Sequence, residues 1–251
     1  MSIPLIRVAS YNIHKGLSHF NRRLTVHDLR EKLHALKADI VFLQEVQGTH
    51  EGRAGRFPHW PEKPQHEFLA DTLWTEFAYG KNSVYDEGHH GNAILSRFPI
   101  QCWENLDISS HFMESRGMLH CEINLPEWQE PLHCINVHLA LTEDGRRRQV
   151  RMIADRIRKS VPQNAPLILA GDFNDWRLRA TKYLANELGL KEVFETHHGR
   201  PARSFPSMLP LFHLDRIYIR GLDVRMAHVH SGPTWHRLSD HAMLSATLQP
   251  A

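Results

Sequence analysis

Three cysteines in 251 residues, Cys102, Cys121 and Cys134, are too few for a disulfide framework, and their odd number without a CxxC pair argues against a thiolate metal cage. Each sits in an apolar, strand-like context, which predicts reduced core residues. No uninterrupted apolar run approaches the roughly 18 to 20 residues that span a bilayer, so any membrane contact would be peripheral. The start of the chain, Met1 leading into Pro4-Leu5-Ile6-Arg7-Val8-Ala9, has no basic region, apolar targeting core or cleavage site, and the cytoplasm is the expected compartment. Net charge is nearly absent as well. The 30 Lys and Arg against 28 Asp and Glu leave +2, too little for long-range attraction to nucleic acid, although Arg22, Arg23, Arg53 and Arg56 in expected loops leave room for a local basic patch. Repeats, low-complexity tracts and Gly/Ser linkers are missing too, and the 41% apolar and 23% charged balance is that of a globular chain. One domain covering residues 1–251 is therefore expected.

What is present is an alternation of short β-rich runs and amphipathic segments, which predicts an α/β fold. Strands are expected at Leu5–Ile13, at Ile40–Leu43, whose unbroken apolar character suits burial on both faces, and at Ala93–Ser96, Gly117–Leu125, His133–Leu139, Leu167–Ala170, Leu214–Ile219 and His241–Leu248. A helix begins after Thr25 with Val26, Leu29, Leu33 and Leu36 on one face, and Asp28 three residues on completes a capping box. Residues Gly48 to Pro64, rich in Gly, Pro and His, read as an exposed loop, and Gln65–Phe77 as a further helix. The clearest helix is Glu143–Val161, with Val150, Ile153, Ala154, Ile157 and Val161 on one face. Arg146, Arg147, Arg148, Arg151, Arg156 and Arg158 form its solvated side.

Polar residues gather where these strands end: Asn12, Gln44-Glu45, Asn136-Val137-His138, Gly171-Asp172-Phe173-Asn174 and Ser239-Asp240-His241. In open α/β sheets such ends converge on one crevice, so residues distant in sequence can share a site. An acidic Glu45 after four apolar residues needs either solvent or a metal. Asp172 and Asn174, two apart, can face one way from an extended segment or form an Asx turn. Oxygen-bearing side chains in this number suit Mg²⁺, which prefers a few carboxylates over imidazole or thiolate cages. His138 and His241 adjoin strands, with Asp240 and Asp215 able to orient an imidazole, although most histidines in such positions serve packing.

Taken in order, Ser10-Tyr11-Asn12-Ile13, Gln44-Glu45-Val46, Asn136-Val137-His138-Leu139, Gly171-Asp172-Phe173-Asn174-Asp175, Leu214-Asp215-Arg216-Ile217 and Ser239-Asp240-His241 resemble the signature of the endonuclease/exonuclease/phosphatase superfamily. The stretch Gly88-His89-His90-Gly91-Asn92-Ala93-Ile94-Leu95-Ser96-Arg97 is similar to uncharacterised bacterial members. The resemblance implies a pancreatic-deoxyribonuclease-like fold, a two-sheet β-sandwich flanked by helices in four layers, with the site in a cleft at one edge. It also implies roles. Glu45 would be the principal ligand of Mg²⁺ or Mn²⁺, with Asn12 beside it and Asp240 contributing directly or through water. Asp172 would orient or deprotonate the attacking water, and Asn174 would hydrogen-bond a phosphate oxygen. His241, held by Asp215, would polarise the phosphate. His138 would stabilise it or protonate the leaving oxygen, and Arg116 would contact phosphate.

Members of that superfamily act on DNA, abasic sites, sphingomyelin, inositol phosphates and DNA adducts, so the fold alone does not select a substrate. Abasic-site enzymes generally lack a histidine at the place of His138, whereas Asn136-Val137-His138-Leu139 looks more like the lipid and inositol branches. The expectation is a phosphodiesterase acting on a small or lipid phosphoester, with a DNA endonuclease or exonuclease as the alternative and a non-enzymatic binding module as the third reading. A zinc hydrolase is disfavoured because neither His89-His90 nor His197-His198 has HExxH spacing, and both pairs read as loop residues.

Overall fold

Buried strands and amphipathic helices do alternate along the chain, as a computed structural model describing residues 5–112 and 114–251 shows. The amino-terminal reading at residues 1–4 lies outside the described part. In chain order the strands are β1 (Ile6–Asn12), β2 (Ile40–His50), β3 (Glu76–Tyr85), β4 (Gly88–Ser96), β5 (Ile100–Asp107) and β6 (Gly117–Ile123). They continue with β7 (Leu132–His138), β8 (Leu167–Asp172), β9 (Lys191–Glu192), β10 (Asp215–Arg220), β11 (Leu222–His230) and β12 (Met243–Pro250). The helices are α1 (Val26–Leu36), α2 (Glu51–Arg56), α3 (Gln65–Ala70), α4 (Glu143–Ser160), α5 (Arg179–Leu188) and α6 (Val193–His198).

Two six-stranded sheets result, ordered β11-β12-β1-β2-β4-β3 and β5-β6-β7-β8-β10-β9. Each has one parallel pair near its middle, β1 with β2 and β7 with β8, amid antiparallel neighbours. Alternate residues of the central strands point inward, so Val8, Ile40, Phe42 and Ile94 of one sheet pack on Leu119, Cys134, Ile168 and Ile217 of the other. The opposite faces are covered by helices. Ala9, Tyr11 and Val41 meet Val26, Leu29 and Leu33 of α1, while Ile135, Val137 and Leu169 meet Val150, Ile153 and Ile157 of α4. That makes four layers, helix, sheet, sheet, helix, and explains why Ile40–Leu43 and Leu167–Ala170 are apolar without alternation: both faces are buried.

Just below one edge of the sandwich the sheets are tied by amides. Gln44 Nε2 donates to Asn136 Oδ1 at 2.8 Å, and Asn136 Nδ2 donates to the carbonyls of Leu43 and Ala93 at 2.9 and 2.8 Å. Asn136, from the strand-end cluster, is thus spent on joining the sheets.

Several local expectations are corrected. Thr25 does precede α1, but no side-chain cap bond forms; its hydroxyl donates to Leu238 O at 2.9 Å, and Asp28 pairs with Arg23 instead. The loop expected from Gly48 to Pro64 contains the end of β2 and the helix α2, whose two glycines hide it and whose start is capped by His50 Nδ1 accepting from Arg53 N–H. The helix expected over Gln65–Phe77 stops at Ala70, where Asp71 adopts a positive φ of 41°, and β3 begins at Glu76. Cys102 is exposed, whereas Cys121 and Cys134 are buried cross-strand neighbours, all three being free thiols. His89 and His90 lie in β4, and His197 and His198 close α6, so neither pair is in a loop. Arg146 is the exception on the arginine face: it is buried and donates to the carbonyls of Ala140 and Leu141. Among the described residues no helix is long and apolar enough to cross a membrane.

Candidate active site

The carboxyl ends of β1, β7 and β8 meet the middle of β2 at the edge above the amide tie, and Asp172, the last residue of β8, lies at their centre with 1% of its surface exposed. Its Oδ1 accepts the Asn174 N–H at 3.0 Å, an Asx turn that ends the strand. Its Oδ2 is turned toward the other site residues, accepting Asn12 Nδ2 from the other sheet at 3.1 Å and lying 3.5 Å from His138 Nε2 and 3.7 Å from His241 Nε2. Asp215 stands opposite Asp172 in the β8–β10 pairing and takes a hydrogen bond from His241 Nδ1 at 2.8 Å. Ser239 places His241 from the chain side: its hydroxyl donates to Asn12 O at 2.6 Å and accepts the His241 N–H at 3.2 Å.

The two imidazoles differ in charge because their neighbours differ. Burial alone would lower His241, but Asp215 and Asp172, with the Asp215 hydrogen bond and Asp240 added, raise it to about 10. It is a cation at neutral pH. Burial, reinforced by the Arg116 guanidinium, pushes His138 down to about 4 against the pull of Asp172 and Glu45, so this ring is neutral.

Glu45 reaches the cleft through a break in β2. The register against β4 shifts between Leu43 and Val46, and Glu45 adopts a φ of 55°, so Gln44 goes to the inter-sheet tie while Glu45 turns to the site. Glu45 Oε1 accepts Asn12 Nδ2 at 3.3 Å, and Oε2 is buried without an aligned hydrogen bond, 3.1 Å from Lys15 Nζ. Burial would raise this carboxyl, yet His138, Lys15 and His14 together hold it below the usual carboxylate range. Asp240, beyond His14, has its Oδ1 3.4 Å from His14 Nδ1.

Asn12, Glu45, His138, Asp172, Asp215, Asp240 and His241 are thus linked by these contacts. Asn12 presents its amide nitrogen to both carboxylates while its oxygen accepts the His14 N–H at 3.1 Å. Asn174, at a φ of 49°, sends Nδ2 to Leu139 O at 2.9 Å, which leaves the second N–H of that amide uncommitted. Arg116 stands at the margin, partly exposed, with Nε 3.9 Å from Glu114 Oε1. Sequence reasoning missed three basic neighbours, His14, Lys15 and His90, and had named Arg53 only as part of a possible local basic patch. His90 is pushed to about 4 by burial and by Lys15, with Arg53 and Arg116 acting in the same sense against Glu45. Adjacency to Asn12 could have pointed to His14 and Lys15, and the Gly88–Arg97 stretch already contained His90.

Asp172, Asp215 and His241 offer ligand atoms within 4.8 Å of one another. The His241 Nδ1 of this group is already engaged with Asp215. A ring at about 10 carries protons on both nitrogens, and one of them is given to Asp215 at 2.8 Å. Glu45 is a second candidate, with its Oε2 buried and without an aligned hydrogen bond.

The Endonuclease/Exonuclease/phosphatase family model matches residues 9–241, so every one of these side chains falls within it. The chain belongs to that family. The family comprises metal-dependent phosphoesterases and nucleases and generally uses divalent metals. A family relative, the uncharacterized protein YbhP of Escherichia coli K12, is 47% identical over 242 residues, covering 96% of this chain and 95% of its own. Two solved family folds are similar at low identity. The Bacteroides thetaiotaomicron mannosyl-6-phosphatase Bt3783 gives a TM-score of 0.71 at 15% identity, covering 97% of this chain and 99% of its own. The D. rerio TDP2 complexed with single-strand DNA product gives 0.70 at 20%, covering 98% and 99%. They establish the four-layer deoxyribonuclease-like fold for this family member.

Proposed function

We propose that this protein is a divalent-metal-dependent hydrolase that cleaves a small or lipid phosphodiester by attack of an activated water. The observation that carries the reading is the geometry around Asp172 Oδ2, a buried carboxylate oxygen set between the Asn12 amide and two imidazoles, of which one is cationic and one neutral. Binding alone has no use for that combination. Glu45 also fits a hard ion such as Mg²⁺ or Mn²⁺, because its Oε2 is a buried carboxylate oxygen without an aligned hydrogen bond. Glu45 would hold the ion, with Asn12 beside it and Asp240 as a second carboxylate. When bound, the ion supplies charge neutralisation on the phosphate and makes water a better nucleophile.

The chain's own groups then divide the work. Asp172 orients the water and takes its proton. His241, fixed as a cation by Asp215, draws charge onto a phosphoryl oxygen, and the spare N–H of Asn174 binds another. His138, being neutral, serves the leaving oxygen as a hydrogen-bond donor, and Arg116 contacts the phosphate from the margin. Because Asn12 and Glu45 come from one sheet and Asp172 from the other, we propose that residues 1–251 act as one domain.

The choice of a small or lipid phosphoester over DNA rests on the rim. Exposed Leu141 and Trp176 follow β7 and β8, and Met208, Leu209 and Leu211 lie on the segment whose Ser207 bonds to Ser239 and Asp240. Most of these side chains are aliphatic and suit an apolar alcohol. The protein should therefore turn over phospholipid or bis-phenyl phosphodiesters with a rate nearly unchanged between about 50 and 200 mM salt, a range over which a DNA-binding surface loses affinity steeply. Efficient, salt-sensitive cleavage of DNA with negligible turnover of the other substrates would reverse the choice.

A further inference from the structure

The turn that follows β1 is built to carry two basic side chains into the cleft. His14, Lys15 and Gly16 have φ values of 46°, 60° and 67°, a left-handed run that only glycine adopts freely. Neighbours hold it there. Gln65 Nε2 donates to Lys15 O at 2.8 Å while Gln65 Oε1 accepts the Gln47 N–H at 2.9 Å, and the Thr25 N–H donates to Gly16 O at 2.9 Å. A side chain at Gly16 would meet Gln65 at 2.5 Å, so the packing is closed on that side. Strain that is over-determined in this way commonly serves a site.

The turn sets Lys15 Nζ 3.1 Å from Glu45 Oε2 and His14 Nδ1 3.4 Å from Asp240 Oδ1. One basic group thus lies on each of the two carboxylates of the proposed metal site. Lys15 meets Glu45 through this single ammonium contact at 3.1 Å, and its side chain is partly exposed. An ammonium on a flexible four-carbon stem can leave such a contact for another anion. A divalent cation on Glu45 would repel it, and the anion that arrives at the same place is the phosphoester.

We propose that Lys15 and the divalent ion compete for Glu45, and that Lys15 leaves Glu45 for the phosphate of the substrate when the ion is present. Lys15 is on this view the stand-in counter-ion of the metal-free protein, and its own contribution to substrate binding begins only after it has been displaced. The inference rests on the proposed metal site at Glu45.

The test is a calorimetric titration of Mn²⁺ into the metal-stripped full-length protein, without substrate, for the natural chain and for Lys15→Met, Lys15→Asn and Lys15→Arg. Methionine keeps the length of the side chain, and asparagine tolerates the left-handed backbone. Both neutral variants should bind Mn²⁺ about tenfold more tightly, and Lys15→Arg should stay close to the natural chain. A role in shaping the turn predicts the opposite sign, because a distorted turn would loosen Glu45. Unchanged or weaker Mn²⁺ binding in both neutral variants, with binding intact in the natural chain, overturns the competition and leaves the metal site standing. No Mn²⁺ binding in any of the four proteins overturns both.

Discussion

Replacing Asp172 by Asn is expected to lower turnover by roughly 10²-fold or more while leaving the affinity for Mg²⁺ almost unchanged. Asparagine keeps the shape and an acceptor oxygen for Asn12 Nδ2, which the carboxylate holds at 3.1 Å, but it cannot take a proton from water. Glu45→Gln should fail in another way. Its buried Oε2 is the oxygen assigned to the ion, so the loss should appear as weakened Mg²⁺ binding and should be recovered in part at high Mg²⁺. Metal titrations followed by calorimetry and by rate, on variants shown by circular dichroism to be folded, separate the two. If excess Mg²⁺ rescues Asp172→Asn but not Glu45→Gln, the two roles are exchanged.

Asp215→Asn should cost on the order of 10² to 10³ in turnover at neutral pH, because it disarms His241 without touching it. Asp215 is the largest of the influences that raise His241 from 6.5 to about 10, and burial alone would drive the ring the other way. In the natural protein the ring keeps its proton until the pH passes about 10, so the alkaline limb of the rate profile should lie there. Without the Asp215 charge the proton is lost at lower pH, and the limb should move toward neutrality with partial recovery of rate as the pH is lowered. The same shift carries a stability signature. A group raised in the folded state stabilises fully below its unfolded value near 6.5 and loses that contribution as pH rises through about 10. Asp215→Asn should flatten this alkaline loss in denaturant titrations. An alkaline limb and stability profile unmoved by the substitution would contradict the assignment.

How much of this was legible in the sequence depended on burial. Ile40–Leu43 and Leu167–Ala170 announce themselves because both faces are covered, whereas β5, exposed along much of Ile100–Asp107, and the edge strand β3, with Lys81, Asn82 and Ser83 inside it, carry no apolar periodicity to read. Asp172, Asp215 and His241 were legible as strand-end residues in an ordered set. The means by which Glu45 reaches them was not, since a bulge with a positive φ on a non-glycine residue leaves no mark in composition or spacing. Lys15 left only its adjacency to Asn12 as a mark. A lone lysine in a loop reads as solvated, and only the strained turn and its bond to Gln65, fifty residues away, bring it to Glu45. The Asx turn and the active-site reading of Asp172 had stood as alternatives, yet the structure contains the turn within the cluster, with one carboxylate oxygen given to Asn174 and the other turned toward the other site residues.

The central claim, that an ion held at Glu45 is needed for the water attack organised by Asp172, is tested most directly by following hydrolysis of a bis-phenyl phosphodiester by protein treated with EDTA and then given Mg²⁺ or Mn²⁺, with Glu45→Ala prepared in parallel to expose any contaminating activity. Turnover should vanish in the chelated sample, return with either ion in the natural chain, and stay absent in Glu45→Ala. Full turnover by the chelated, metal-free protein would contradict it.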